Sequence, residues 1–260
     1  ESIMPLLAAM NPDAKTHVKR FQVFGIGEST LQRTINEALP DWPDNIELGF
    51  RAAFPQVEVK LTVHDEAGVK ALPQWQAKLE SLFGAHILGE GEIQLPELVV
   101  SLLKQKKQQL TLAESCTGGL IAAKITSVAG ASQVFEGGFV TYSNAIKEKV
   151  LGVSRESLIS EGAVSEPVVR DMALGALKVA SASLAVAVSG IAGPGGGSDE
   201  KPVGTVWLAW GSENKMSSQE LFYPGSRDYF QEYVASAALD LIRRELLGIE
   251  EAPWYFKRKK

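Results

Sequence analysis

The seven residues from Leu184 to Gly190, L-A-V-A-V-S-G, constrain the fold more than any other stretch of the chain. They are apolar nearly throughout and lack the polar alternation of a strand that faces water on one side. A strand of this kind is buried on both faces, as happens when helices cover both sides of a sheet. The surrounding pattern supplies those helices. Pro96 stands at a helix start, and Leu95, Leu98, Val99, Leu102 and Leu103 form one stripe. A strand follows at 110–114, then a helix from Thr117 to Val128 and a strand at 139–143. A short helix at 144–151 precedes a longer one from Glu166 to Ser181. Beyond 184–190 come strands at 204–210 and 219–223. A closing helix from Ser226 to Leu247 carries Phe230, Tyr233, Val234, Ala237, Ala238, Leu241 and Ile242 on one side. Strands alternating with long helices predict an α/β fold, a three-layer α/β/α domain over residues 93–260.

The chain before residue 93 has a quicker rhythm. F-Q-V-F-G (21–25) reads as a strand, and Ser29 as the cap of a helix with Leu31, Ile35 and Leu39 on one face. Residues 46–55 and 57–63 read as neighbouring strands joined at Pro55-Gln56, 66–83 as a helix and 86–89 as a last short strand. That β-α-β-β-α-β order predicts a small α+β domain over residues 18–92, with G-E-G-E (89–92) as linker. Residues 1–93 hold 8 Lys and Arg against 13 Asp and Glu, and residues 94–260 hold 18 of each. Neither part is basic, so no nucleic-acid partner is expected. The terminal K-R-K-K reads as a solvated end. No apolar run of about 18 residues appears, so no membrane association is expected. The lone cysteine, Cys116, excludes an internal disulfide and suits a reducing cytoplasm. The chain begins E-S-I-M-P-L-L, which reads like the middle of a longer protein.

Histidine placement narrows the chemistry. His17, His64 and His86 all fall in the first segment, and the larger domain has none. Ser-His-Asp and Cys-His catalysis therefore cannot be built within it, nor can a His/Cys metal site. An enzyme on this domain needs Lys, Tyr, Asp or Glu as its base; no metal and no cofactor are expected.

Three clusters carry candidate chemistry. At L-T-L-A-E-S-C-T-G-G (110–119) a strand turns into a helix, exposing the Ser115 hydroxyl beside backbone amides of Cys116, Thr117, Gly118 and Gly119. Ser115 or Thr117 as a simple N-cap is the plainer alternative. A thiol at a helix start has a lowered pKa, which makes Cys116 a competing nucleophile. T-Y-S-N-A-I-K (141–147) follows another strand and offers Tyr142, Asn144 and Lys147; a desolvated lysine there serves as base to a serine, whereas Lys149 reads as solvated. S-G-I-A-G-P-G-G-G (189–197) packs five glycines and a proline into nine residues, an anion nest around Gly193, Gly195 and Gly196 or else a purely structural loop. Thr205 in K-P-V-G-T-V (201–206) begins the next strand near it.

A-E-S-C-T-G-G, G-F-V-T-Y-S-N-x-x-K, G-A-V-S-E-P-V-V, S-G-I-A-G-P-G-G-G and K-P-V-G-T-V together resemble the C-terminal domain of the CinA family, the nicotinamide mononucleotide amidohydrolase (PncC-type) domain. The resemblance covers about residues 94–248. It implies metal-free hydrolysis of the nicotinamide mononucleotide (NMN) carboxamide to nicotinic acid mononucleotide and ammonia, in pyridine nucleotide salvage. By motif, Ser115 is the implied nucleophile, Lys147 the base and proton shuttle, and Tyr142 an orienting or relaying partner. The resemblance also implies self-association. The segment from G-I-G-E-S-T (25–30) is similar to the family's small KH-like middle domain, although G-I-G-E lacks the basic flanks of a G-x-x-G clamp. Residues 1–17 are similar to the tail of the domain that precedes it. A non-catalytic nucleotide-binding module with a regulatory role is the competing class, separated from the first by ammonia release.

Overall fold

The computed structural model describes residues 16–257. The implied domain tail at 1–17 therefore lies outside the described residues as far as position 15, and so do the last three residues of the K-R-K-K end. The chain divides into two compact units that meet between Ile93 and Gln94. Among the described residues no helix is long and apolar enough to cross a membrane.

The smaller unit runs β1 (His17–Phe24), α1 (Glu28–Ala38), β2 (Glu47–Ala53), β3 (Gln56–Val63), α2 (Glu66–Phe83) and β4 (Ile87–Glu90). Its strands lie in the order β2-β3-β1-β4, all neighbours antiparallel. This is the split βαβ arrangement that the element order predicts. Val57, Val59, Leu61 and Val63 are buried at alternate positions of β3 and so share one face. Ser29 is not the cap of α1. The N-cap position is Gly27, without a side-chain bond, and Ser29 sits inside the first turn. Asp65 does cap α2, its carboxylate accepting from the Gly68 amide at 2.5 Å.

The larger unit runs α3 (Leu95–Lys106), β5 (Leu110–Glu114), α4 (Leu120–Thr126), β6 (Phe135–Val140), α5 (Asn144–Leu151), α6 (Arg155–Ser160), α7 (Glu166–Ala180), β7 (Leu184–Gly190), β8 (Thr205–Ser212), β9 (Lys215–Phe222) and α8 (Arg227–Leu247). The sheet order is β6-β5-β7-β8-β9, with β5 parallel to both β6 and β7 and the β8–β9 hairpin antiparallel at the other edge. β7 is the central strand, buried from Leu184 to Ser189 as its sequence requires. Side chains alternate between faces. Ala113, Ala185, Ala187 and Ala209 point to one side, where Val168, Val169, Met172, Ala173 and Ala176 of α7 pack on them. The small alanines let α7 lie close to the sheet. Helices α3, α4 and α8 cover the other side, giving three layers.

Several sequence expectations shift. The strands read at 21–25 and 219–223 are His17–Phe24 and Lys215–Phe222, each lengthened at its start by pairing with a neighbouring strand. The strand at 139–143 is instead Phe135–Val140, because Gly137 and Gly138 extend the ladder against Thr111 and Leu112 and pairing stops at Val140. The helix from Thr117 starts only at Leu120, after a turn through two glycines. The six-residue α6 was not anticipated; it buries only Leu158, too little for an apolar stripe.

Candidate functional site

β5 and β6 run parallel and end side by side, so the residues just beyond them emerge on one edge of the sheet. Ser115 continues β5, its amide donating to the Val188 carbonyl of β7 at 3.1 Å. Thr141 continues β6, its amide donating to the Glu114 carbonyl at 2.9 Å. Beyond Thr141 the chain turns into α5, whose N-cap Ser143 accepts from the Ile146 amide. The first turn of α5 then aims Lys147 back under the strand ends, 1% exposed. Its Nζ lies 3.0 Å from Ser115 Oγ, 2.7 Å from the Thr141 carbonyl and 3.4 Å from the Tyr142 carbonyl. Among the described residues no carboxylate is hydrogen-bonded to it. Desolvation therefore pulls the amine from its ordinary 10.5 to about 8.

The turn that carries Ser115 is shaped by two glycines and one carboxylate. Gly118 (φ +63°) and Gly119 (φ +101°) both adopt the left-handed region, where a side chain is strained. Glu114, the last residue of β5, is buried and points to the face opposite Ser115. Its Oε2 accepts from Thr117 Oγ1 (2.6 Å), Gly119 N (3.1 Å) and Ile121 N (3.1 Å), and its Oε1 from Ala122 N (2.9 Å). The Gly118 amide donates to the Ser115 carbonyl and the Leu120 amide to the Thr117 carbonyl. Of the amides from 116 to 122, only those of Cys116 and Thr117 donate to no protein oxygen among the described residues. The Thr117 hydroxyl and the Gly119 amide are thus engaged internally, and the start of α4 already holds a carboxylate.

Cys116 is buried, and burial pushes its thiol up to about 12. Its own amide, Lys147 and Arg227 pull the other way, and Glu114 adds to the rise. The lowered thiol pKa expected at a helix start is absent because desolvation outweighs the local dipoles. A neutral thiol at pH 7 is a poor nucleophile, and the hydroxyl at Ser115 is the group paired with the amine.

The third cluster joins the site through a residue outside all three motifs. Arg227, the first residue of α8, donates from Nη2 to Tyr142 Oη at 3.1 Å and from Nη1 to the Gly193 carbonyl at 3.0 Å. It therefore ties the segment after β6 to the glycine loop after β7. Both acceptors are neutral, so its charge is available to an anion. Tyr142 is 62% exposed, and its phenol faces Arg227 while its carbonyl faces Lys147. Gly193 is left-handed, with a cis peptide to Pro194, and Gly195 and Gly196 extend into open surroundings. Thr205 and Thr141 are buried, and among the described residues neither Oγ1 has a hydrogen-bond partner. Asn144 is exposed on the first turn of α5. Ser189 lies beside Ser115 in register and donates to the Ala163 carbonyl at 2.7 Å, bracing the G-A-V-S loop.

Sequence reasoning passed over Glu114 and Arg227. A signal existed for each: an acid closing an apolar strand just before a helix, and a cation at the first position of a long helix, where the macrodipole disfavours it. Two cavities, about 330 Å³ against Trp210 and Phe256 and about 800 Å³ beside Val150 and Leu174, have neither Ser115 nor Lys147 in their walls.

Comparison with known proteins identifies the family. The family model for the CinA C-terminal domain matches residues 92–246. A CinA-like protein of Colwellia psychrerythraea is 48% identical over 263 residues, spanning all of this chain and 61% of its own length. A CinA-like protein of Akkermansia muciniphila is 45% identical over 239 residues, 92% of this chain and 56% of its own. The chain thus spans about three fifths of the length of these relatives. Among solved structures, a CinA superfamily protein of Klebsiella pneumoniae superimposes with a TM-score of 0.58 at 36% identity, over 59% of this chain and 96% of that one. The competence/damage inducible protein of Agrobacterium tumefaciens does so with 0.55 at 43% identity, over 56% and 92%.

Proposed function

Because the chain belongs to the CinA family and carries its C-terminal domain at residues 92–246, we propose that this domain is a Ser-Lys amidase that hydrolyses the carboxamide of NMN. The observation that carries the reading is the 3.0 Å separation of Ser115 Oγ from the buried amine of Lys147. A neutral amine has two hydrogens and one lone pair. The Thr141 and Tyr142 carbonyls accept the two hydrogens, which leaves the lone pair for the Ser115 hydroxyl.

The chemistry then follows in two halves. Lys147 takes the hydroxyl proton as Oγ bonds to the amide carbon, and the amides of Cys116 and Thr117 receive the oxyanion. Collapse breaks the C–N bond, and the lysinium gives its proton to departing ammonia. Water next attacks the ester with Lys147 again as base, releasing the nicotinate and restoring Ser115. The 5′-phosphate has its seat at the glycine loop 193–197 with Arg227. The start of α4, the other candidate, is closed to an anion by the Glu114 carboxylate. In this reading Tyr142 orients Arg227 at the rim of the site. Residues 18–92 stand as the small middle domain of the family, before the amidohydrolase domain at 93–260.

The test is NMN turnover, followed as ammonia and nicotinic acid mononucleotide, for the parent beside Ser115→Ala and Lys147→Ala. Activity in the parent alone supports the reading, with Ser115→Ala at background and Lys147→Ala lower by on the order of 10²–10⁴-fold. A folded parent that binds NMN and releases nothing sinks it in favour of the binding module.

A further inference from the structure

We propose that Glu114 is a positioning residue that assembles the oxyanion site from beneath: by holding the Thr117 hydroxyl and the Gly119, Ile121 and Ala122 amides, while the Ser115 and Thr117 carbonyls take those of Gly118 and Leu120, it leaves the Cys116 and Thr117 amides as the pair available to the reacting carbonyl. The inference rests on the amidase reading above.

Glu114 cannot touch substrate. It is 1% exposed and, as the strand neighbour of Ser115, points to the opposite face of the sheet. Its effect has to pass through the turn. Residues 118 and 119 are successive glycines with positive φ and no side chains to brace them, so their peptide planes are the softest part of the segment. Left alone, such planes rotate readily, and a rotated plane puts a carbonyl where a donor belongs. Glu114 opposes this from both sides. One oxygen holds the Thr117 hydroxyl, the Gly119 amide and the Ile121 amide, and the other holds the Ala122 amide. These are charge-assisted bonds to a buried carboxylate, about twice as strong as neutral ones. They also satisfy amides at the start of α4 that no intrahelical carbonyl reaches, and Gly119 at the N-cap has no side chain to do so.

The deciding experiment uses the full chain and two readouts on Glu114→Gln. Gln keeps the size but sets an NH2 group against amide donors. The first readout is NMN turnover against substrate concentration and pH. The second is the rate at which a phosphonofluoridate modifies Ser115, a step in which the Oγ–P bond forms, fluoride leaves and Lys147 takes the proton. The expected result is a kcat lower by on the order of 10²-fold with KM within about threefold, and a comparable slowing of phosphonylation. The Lys147 inflection of the pH profile stays where it is in the parent, because the proton-transfer pair is untouched. Rates within threefold of the parent overturn the proposal. A displaced inflection also overturns it, since the effect would then run through Lys147. A parent that is phosphonylated at Ser115 but inert toward NMN overturns the amidase reading, and the phosphonylation arm still decides Glu114. If Glu114→Gln does not fold, Thr117→Val deletes one of the four bonds; phosphonylation slowed several-fold supports the proposal, and a parent-like rate overturns it.

Discussion

Lys147 is buried where its charge is poorly solvated, so the same desolvation that suits it to the proposed role of base costs stability whenever it is protonated. Its pKa of about 8 in the fold lies below the 10.5 of the unfolded chain. Below pH 8 both states hold the proton and the full cost is present. Between about 8 and 10.5 the unfolded chain binds more protons, so stability rises with pH by up to about 1.4 kcal/mol per unit. Urea denaturation of the parent and of Lys147→Met, compared from pH 7 to 10, should show the parent gaining on the variant across that window; a constant difference would mean the amine is not desolvated. Turnover should climb through the same pH, as the neutral form is the base. Arg227 makes a different prediction. Replacing it with Ala removes a charged donor worth about 1.5–3 kcal/mol, so KM for NMN should rise at least tenfold, while nicotinamide riboside, which has no phosphate, is little affected. Equal losses on both substrates would move the phosphate seat elsewhere.

Two helices hold the lysine in place, and their crossing is tight. Gly175 lies inside α7, and a Cβ there would stand 1.9 Å from the Leu151 carbonyl oxygen of α5. An alanine in a helix ordinarily gains about 1 kcal/mol over glycine. Here it would push α5 away, and Lys147 sits one turn before Leu151 on the same helix. Gly175→Ala should therefore destabilise the fold by about 1–3 kcal/mol and lower kcat with it. Chemical denaturation and turnover on one sample check this, and an unchanged midpoint would refute the close crossing. Such contacts are invisible in the chain itself, where Gly175 reads as a weak point in a helix. The ends of β6 and α4 were displaced for a related reason: strand pairing and glycine backbone geometry set them, and neither leaves a local signature.

Of the two compact units, the larger can be tested by itself. The larger one has its own core around β7, and 59% of this chain accounts for 96% of the Klebsiella structure, which leaves little of that protein to match the smaller unit. Residues 94–260 produced alone should melt cooperatively and turn over NMN with kcat within about threefold of the full chain. A circular-dichroism melt with an ammonia assay decides it. Loss of cooperative melting would tie the fold of the larger unit to the first 93 residues.

By itself, the sequence determined the layers and the chemistry available. L-A-V-A-V-S-G required a strand covered on both faces, the β-α-β-β-α-β order required a split sandwich, and a histidine-free domain ruled out imidazole as the base of any chemistry built within it. These are local properties of composition and period, so they are present in the chain before it folds. Tertiary structure decided which groups meet. Ser115 and Lys147 are 32 positions apart and Tyr142 and Arg227 are 85 apart, and each pair is joined only because β5, β6 and the start of α8 end on one edge of the sheet. It also decided protonation. Burial lowered the amine, raised the thiol and turned Glu114 inward onto the amides of its own turn, and burial is a property of the packed molecule rather than of any segment.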